Sequence, residues 1–169
     1  MDLSEHSGKR WKIFTVIALL CAAAVFIGGH FLIRHLRDTS LRYTSDQITA
    51  NIIAELKDTD LVKVEDDQIS KHFDIPDGIV QECSYYTNKS PENASELACF
   101  ILRDRSGYDA LETAVTSHIN SKSSGFKSLN PTQYNSLQNF LILQNGRYVL
   151  LAVGNNTKEE EKIFTGMLE

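Results

Sequence analysis

Three groups of residues in this sequence have types and spacing that could do chemistry, and the first is a pair of carboxylates. Asp58 and Asp60, followed by Leu61 and Val62, fit the DxDx[TV] pattern, in which one carboxylate attacks phosphorus and the other transfers a proton. That chemistry requires a buried parallel strand before the pair, whereas the preceding residues have the spacing of an amphipathic helix. The pattern therefore predicts a solvated helix-to-strand turn here. The acidic residues that follow lack the glycine and the spacing of an EF-hand loop, so we expect no calcium site among them.

The second group consists of the histidines of the C-terminal part, His72 and His118. Neither belongs to an HExxH motif or to another metal-ligand spacing, and no GxSxG elbow supports a serine nucleophile. We therefore predict no catalytic residue, no cofactor-binding residue and no metal ligand. The alternative is an enzyme of unrecognised type, a hydrolase or transferase, with His72 or His118 as its general base. A cleft that brings one of these histidines within hydrogen-bond reach of an acid and a hydroxyl would favour that alternative.

The third group is a pair of cysteines, Cys83 and Cys99, in two strand-like runs over residues 79–87 and 96–104. Folding these runs into a hairpin about residue 91 places Cys83 opposite Cys99, in a register that is uncertain by one or two residues. Opposed cysteines of a hairpin can reach disulfide distance, and outside the cytoplasm the bond could form. Two buried, reduced thiols are the alternative. Four tyrosines are expected to pack on the sheet rather than to form a ligand platform: Tyr85, Tyr86, Tyr134 and Tyr148.

The elements that must position these residues are predicted from periodicity and capping signals. Helices are expected over 45–57, 66–74, 107–121 and from about 157 onward. Capping boxes open the first helix, through Thr44 and Gln47, and the last, through Thr157 and Glu160. The carboxylate of Asp66 is expected to cap the second helix, and residues 122–136 are expected to be a loop.

A second hairpin is predicted around Asn145 and Gly146, because the Asn-Gly pair accepts the positive φ angles of a type I′ turn. Two hairpins alternating with helices indicate an α+β fold. We predict a two-layer domain in which helices cover a four-stranded, mainly antiparallel sheet.

Length and composition place this domain behind a membrane anchor. The chain has 169 residues, and Ile13–Ile33 form a run of 21 positions without Lys, Arg, Asp or Glu. A helix of that length spans roughly 30 Å, the thickness of the hydrocarbon core of a bilayer. A cleaved signal peptide is the alternative, but the apolar run continues beyond its small-residue site. Residues 34–169 hold 14 Lys and Arg against 20 Asp and Glu, which excludes a basic nucleic-acid footprint.

These observations divide the chain into a cytoplasmic tail (1–12), a transmembrane signal anchor (13–33), a stalk (34–43) and an extracytoplasmic domain (44–169). Basic residues flank the anchor on both sides, so the orientation rests on the short N-terminal flank, which favours a cytoplasmic N-terminus.

Several local patterns resemble the bacterial family DUF4358. They are Glu96 at the start of an apolar strand, Pro131 with Tyr134, and the run from Gly146 to Leu151. The resemblance covers roughly residues 44–168 and implies an anchored or lipoprotein-like extracytoplasmic domain with no assigned activity. The chain lacks a lipobox cysteine, so the apolar segment must serve as its anchor.

The sequence as a whole favours a noncatalytic accessory or binding module of the cell envelope. Its expected partners are membrane lipid, through the N-terminal helix, and an envelope protein; a solute-binding component is a further alternative. No nucleic acid and no cofactor are expected, and the sequence leaves the oligomeric state open.

Overall fold

A computed structural model describes residues 41–169 and confirms the α+β class. The α-helices of this part are α1 (Ser45–Leu56), α2 (Asp66–His72), α3 (Tyr108–Phe126), α4 (Pro131–Gln138) and α5 (Thr157–Leu168). The strands are β1 (Leu61–Lys63), β2 (Val80–Asn88), β3 (Glu96–Leu102), β4 (Leu141–Asn145) and β5 (Tyr148–Val153). A 3₁₀ turn, Arg105–Gly107, leads into α3.

The strands form one antiparallel sheet in the order β1-β2-β3-β5-β4. The two predicted hairpins are present, and pairing of β3 with β5 joins them into a single sheet. The predicted number of strands was wrong, because β1 adds a fifth strand at the edge of β2. With three residues, β1 is too short to show the apolar alternation by which a strand is predicted.

Helices cover both faces of the sheet, so the predicted two layers become three. On one face, Leu111 of α3 belongs to the same buried cluster as Phe100 of β3. On the other face, α1 buries Ile52 completely and joins β2 through a 2.9 Å hydrogen bond between the hydroxyls of Thr49 and Ser84. Every residue of β3 and β5 is buried. Continuous apolar runs such as theirs are typical of strands covered on both sides.

The predicted register of the first hairpin was wrong by one residue. Cys83 pairs with Phe100, and Cys99 pairs with Ser84. Because paired residues share a face and successive residues alternate, Cys83 and Cys99 lie on opposite faces of the sheet. Both carry free thiols. The direct opposition that would have allowed a disulfide is therefore not present.

Helix α1 begins as the sequence predicts. The Thr44 side chain accepts a hydrogen bond from the backbone of Gln47, and the Gln47 side chain accepts one from the backbone of Thr44. The helix ends at Leu56, and the residue that follows it, Lys57, has a left-handed φ of 53°.

The other helix starts needed correction. Glu65, not Asp66, precedes α2, and it makes no side-chain cap. Asn156 precedes α5, so the predicted box between Thr157 and Glu160 does not form.

Helix α4 occupies part of the segment that was predicted as a loop. The Asn130 side chain accepts a hydrogen bond from the backbone of Gln133, and Pro131 stands in the first turn. Proline fits there because the first helical N–H has no partner within the helix. Helix α3 also runs five residues beyond its predicted end at 121.

The second hairpin turns through Gly146 and Arg147 rather than through Asn145 and Gly146. Asn145 pairs with Tyr148 as the last residue of β4. Gly146 has φ 64°, and Lys57 is the residue other than glycine with a positive φ in the described range. A glycine in the first of two loop positions is the signature of a type II′ turn, so the predicted type I′ was wrong.

The predicted tail (1–12), membrane anchor (13–33) and most of the stalk lie outside the described residues. Among residues 41–169, no helix is long and apolar enough to cross a bilayer.

Candidate functional site

The candidate site is built around a carboxylate buried at the start of β3. Glu96 is 1% exposed, yet three polar groups reach it. Tyr85 donates its hydroxyl hydrogen to Oε1 at 2.7 Å, and the Lys122 ammonium lies 2.5 Å from the same oxygen. His118 Nε2 lies 2.9 Å from Oε2. A carboxylate can stay ionised away from water when both of its oxygens accept hydrogen bonds and a positive charge lies beside it, as here.

The sheet register and the spacing of α3 bring these groups together. Thr87 pairs with Glu96, and Tyr85 lies two positions from Thr87, so Tyr85 and Glu96 share one face of the sheet. His118 and Lys122 are four residues apart in α3 and therefore project from one side of that helix. Helix α3 packs on this face of the sheet through its buried apolar residues.

The partners of Glu96 decide its ionisation. Burial alone would raise the pKa of Glu96, but the hydrogen bond from His118 and the charge of Lys122 outweigh burial and hold this pKa below its ordinary value. Burial, reinforced by the nearby Glu96 carboxylate, raises the pKa of Tyr85. At neutral pH the Tyr85 hydroxyl is therefore protonated and donates to an ionised Glu96.

His72, the last residue of α2, stands beside this cluster. Its ring centroid lies 5.1 Å from that of Tyr85 and 6.1 Å from that of His118. Phe73, the next residue, is buried with its ring centroid 4.6 Å from His118, and this contact holds the end of α2 against the cluster. The two histidines of the domain thus lie side by side although 46 residues separate them in sequence.

The pKa of His72 is set chiefly by the partial burial of its ring. Burial lowers the pKa of His72, the effects of His118, Lys122 and Lys71 lower it further, and Glu96 opposes them. At neutral pH the ring is therefore uncharged, and it is exposed to solvent.

These side chains line an open cleft of about 500 Å³ between the end of α2, the β2–β3 loop and α3. The ionisable groups of the cleft are Lys71, His72, Asp74, Tyr85, Glu96, His118 and Lys122. Hydroxyl and amide groups complete its walls: Thr87, Asn88, Ser90, Asn93, Ser117 and Ser121. A polar ligand could exchange its hydrogen bonds to water for bonds to several of these groups at once.

The arrangement at the base of the cleft favours holding a ligand over attacking one. Tyr85, His118 and Lys122 are each already bonded to Glu96, so the base of the cleft is preorganised. Unlike Tyr85 and His118, the His72 ring makes no hydrogen bond to another side chain of the described part, so it could accept a proton. Within that part, no group of three or more His, Cys, Asp or Glu residues is arranged to hold a metal ion.

The structure brings together some of the residues that the sequence singled out and separates others. His72, His118 and Tyr85 meet in the cleft, whereas Cys83 and Cys99 do not line it. Asp58 lies between α1 and β1, where its Oδ1 accepts a 2.9 Å hydrogen bond from the backbone of Asp60. This is the local turn that the sequence predicts for the pair.

Glu96 and Lys122 are the functional residues that sequence analysis missed. Glu96 was noted only as a residue of the family pattern, although an acid inside an otherwise apolar strand was a visible signal. His118 and Lys122 at a spacing of four on one helix were a second signal. Neither signal shows which distant element supplies the partner, and so the cluster could not be assembled.

The fold and the cleft together define an α+β domain with helices on both faces of an antiparallel sheet and a polar cleft beside its second and third strands. The chain belongs to the family described as Domain of unknown function (DUF4358), whose profile matches residues 54–154. The match is narrower than the expected range of 44–168 and contains all five strands and the whole cleft. No curated protein and no solved structure matches the chain.

Proposed function

We propose that this protein is a noncatalytic binding module of the bacterial cell envelope and that the cleft around Glu96 is its ligand site. The observation that carries the proposal is the convergence of Tyr85, His118 and Lys122 on one buried carboxylate. Burying charged groups costs free energy that their pairing often no more than offsets, so a gain in stability does not account for this cluster. The cluster holds the side chains at the base of the cleft in place, so these side chains lose little conformational freedom when a ligand binds.

The noncatalytic assignment is supported by how these groups are used. Glu96 is surrounded by donors, which makes it a weak nucleophile and a weak base. The Tyr85 hydroxyl has a raised pKa and is itself a donor. A site of this kind orients a ligand without carrying a group poised to react with it.

The module is anchored, in this proposal, by residues 13–33, with the domain outside the cytoplasmic membrane. The support for this is the apolar run of 21 residues and the three basic residues that precede it. An anchor confines the domain to the membrane plane and raises its effective concentration toward another envelope component.

A photocrosslinker in the cleft tests the ligand site in native membranes. Ser117 lines the cleft and is exposed, whereas Ser124 is exposed on the same helix and does not line it. A benzophenone side chain at Ser117 is expected to capture a ligand or a segment of a partner that the same group at Ser124 does not. Capture of the same molecules at both positions, or of no molecule at Ser117, would overturn the assignment of the cleft as the ligand site.

A second function is favoured by one specific observation. The cleft holds both histidines, and His118 lies within hydrogen-bond reach of an acid, Glu96, to which the Tyr85 hydroxyl also donates. This meets the acid part of the condition stated above for an envelope hydrolase or transferase. In that case His72, uncharged at neutral pH, is the general base. Turnover of an envelope substrate by the purified chain, lost by a factor of about 10² or more in His72→Gln while ligand affinity is kept, would establish the enzyme over the binding module.

A further inference from the structure

We propose that the ligand of this cleft is an oxyanion, the phosphate or carboxylate of a small molecule. This inference rests on the proposed function, because it assigns the chemistry of what the cleft binds. Three features carry it: the balance of charge in the cleft, the hydrogen-bond donors of its walls, and the contrast with the rest of the domain.

The balance of charge favours an anion. Lys122 neutralises Glu96 through their ion pair, so the one buried acid of the cleft does not repel a second negative group. Lys71 then stands against Asp74 at the exposed rim, so the ionised groups of the cleft balance, and the uncharged imidazole of His72 can take up a proton when an anion binds.

The walls supply donors suited to oxygen atoms. Ser117 and Ser121 lie four residues apart on α3 and line the cleft beside His118. Ser90 and Thr87 face them from the β2–β3 side of the cleft. Several hydroxyl donors beside the two ammonium groups of Lys71 and Lys122 suit an oxyanion, since each of its oxygens accepts more than one hydrogen bond.

The surrounding surface is more acidic than the cleft. Residues 41–169 hold 12 Lys and Arg against 19 Asp and Glu, so the domain as a whole repels anions. A cleft whose charges balance, in an acidic domain, repels an anion less than the surrounding surface does and so directs the anion to one place.

Histidine NMR on the full-length chain in nanodiscs tests the proposal. The chain has five histidines, and with ¹³C-labelled imidazoles the signals of His72 and His118 are assigned from His72→Gln and His118→Gln. At constant ionic strength, inorganic phosphate and acetate are the anionic probes, methylammonium is the cationic probe and glycerol is the neutral one. We expect the anions alone to shift both signals and to move the titration midpoint of His72 upward.

A matched pair of lysine variants tests whether the effect belongs to the cleft. Lys71→Gln is expected to weaken phosphate binding by about two- to fivefold, the effect of one solvated charge. Lys158→Gln removes the same charge from the exposed surface of α5 and is expected to leave binding unchanged. Equal weakening in both variants would overturn the proposal.

The outcomes separate this inference from the proposed function. Shifts with methylammonium or glycerol but not with the anions would overturn the oxyanion and leave the binding cleft in place. No shift with any of these probes or with a pool of polar fragments would overturn both. Shifts that appear when phosphatidylglycerol replaces phosphatidylcholine, without added anion, would support a lipid headgroup as the source of the oxyanion. Shifts only with the added probes would support a soluble source.

Discussion

Glu96 holds three side chains in place with one carboxylate, and this sets it apart from an ordinary ion pair. Lys122 alone would neutralise its charge, yet Tyr85 and His118 also bond to it. Loss of the negative charge therefore affects all three partners at once and leaves the Lys122 ammonium, whose side chain is 20% exposed, without its counterion. Removal of one partner of a buried ion pair is strongly destabilising for this reason.

Glu96→Gln is expected to lower the free energy of unfolding by about 3 kcal/mol at pH 7, because the amide keeps the shape but not the charge. The folded-state pKa of Glu96 is lowered, so its contribution to stability is present above its ordinary pKa of 4.5 and is lost as the pH falls through the folded-state value. Urea denaturation from pH 7 to pH 3 measures both effects. The exposed acid Glu92 supplies the control, Glu92→Gln, and a gap between wild type and Glu96→Gln that persists unchanged at pH 3 would contradict the assignment.

Glu160 presents the opposite case, a buried carboxyl without a partner. It is 6% exposed, and its Oε2 has no hydrogen bond. Burial raises the pKa of Glu160 to about 7, with smaller effects of Asp58 and Glu159. Because the unfolded chain releases this proton near pH 4.5 and the folded chain near pH 7, stability falls as the pH rises between these values.

Glu160→Gln should therefore stabilise the protein by roughly 3 kcal/mol above pH 7, since the pKa rises from 4.5 to about 7 and a shift of one pKa unit is about 1.4 kcal/mol. Below pH 4.5 the gain should vanish, because the Glu160 carboxyl is then protonated in both the folded and the unfolded chain. Thermal denaturation at pH 4 and pH 8 distinguishes the two regimes. Glu161→Gln, on the exposed side of the same helix, is expected to change neither. A Glu160→Gln protein that gains nothing at pH 8 would show that this carboxyl ionises without cost.

At the scale of elements, the sequence predicts best where two independent signals agree. Helix α1 has both a capping box and an apolar stripe, and its ends were placed within one residue. Helix α4 was missed because its eight residues bury only Leu137, so periodicity had nothing to detect. Its visible signal was local, an Asn-Pro pair that opens a helix.

The register of the first hairpin could not be predicted for a physical reason. A register is readable when one face of a strand is apolar and the other polar, since a slip of one residue exchanges the faces. Strand β3 is buried on both faces, so every register hides its apolar residues equally well. The same loss of alternation concealed the third layer. The expected register placed Tyr85 opposite Leu97, and it therefore put Tyr85 and Glu96 on opposite faces of the sheet.

Two threonines that look alike in the sequence should behave differently at helix starts. Thr44→Ala removes a cap that the structure contains and is expected to cost about 1 kcal/mol of stability. Thr157→Ala changes a residue inside α5 whose predicted capping box does not form, and it is expected to stay within about 0.5 kcal/mol of wild type. Urea midpoints of the two variants, measured side by side, check both values. Equal losses would mean that Thr157 caps α5 after all.

At the scale of the whole molecule, the proposed site and the proposed anchor make separate demands on the chain. The cleft needs only elements that lie within residues 66–126, all of them inside the region that defines the family. The anchor needs only the apolar run near the N-terminus. The domain can therefore lose its membrane attachment and keep its ligand site, or the reverse, and each proposal can fail without the other.

The anchor gives the last prediction. A run of 21 residues without a charge spans roughly 30 Å as a helix, so the full-length chain is expected to sediment with membranes, resist alkaline carbonate and dissolve in detergent. Replacement of Leu19 and Leu20 by lysine places two charges near the centre of the span, at an insertion cost of about 3 kcal/mol each, and should release much of the chain. Replacement of the same residues by isoleucine is the control. The anchor would be contradicted if the full-length chain were found, without detergent, in the soluble fraction of gently broken cells. The outward orientation would be contradicted if residues beyond 34 survived when intact cells were treated with protease.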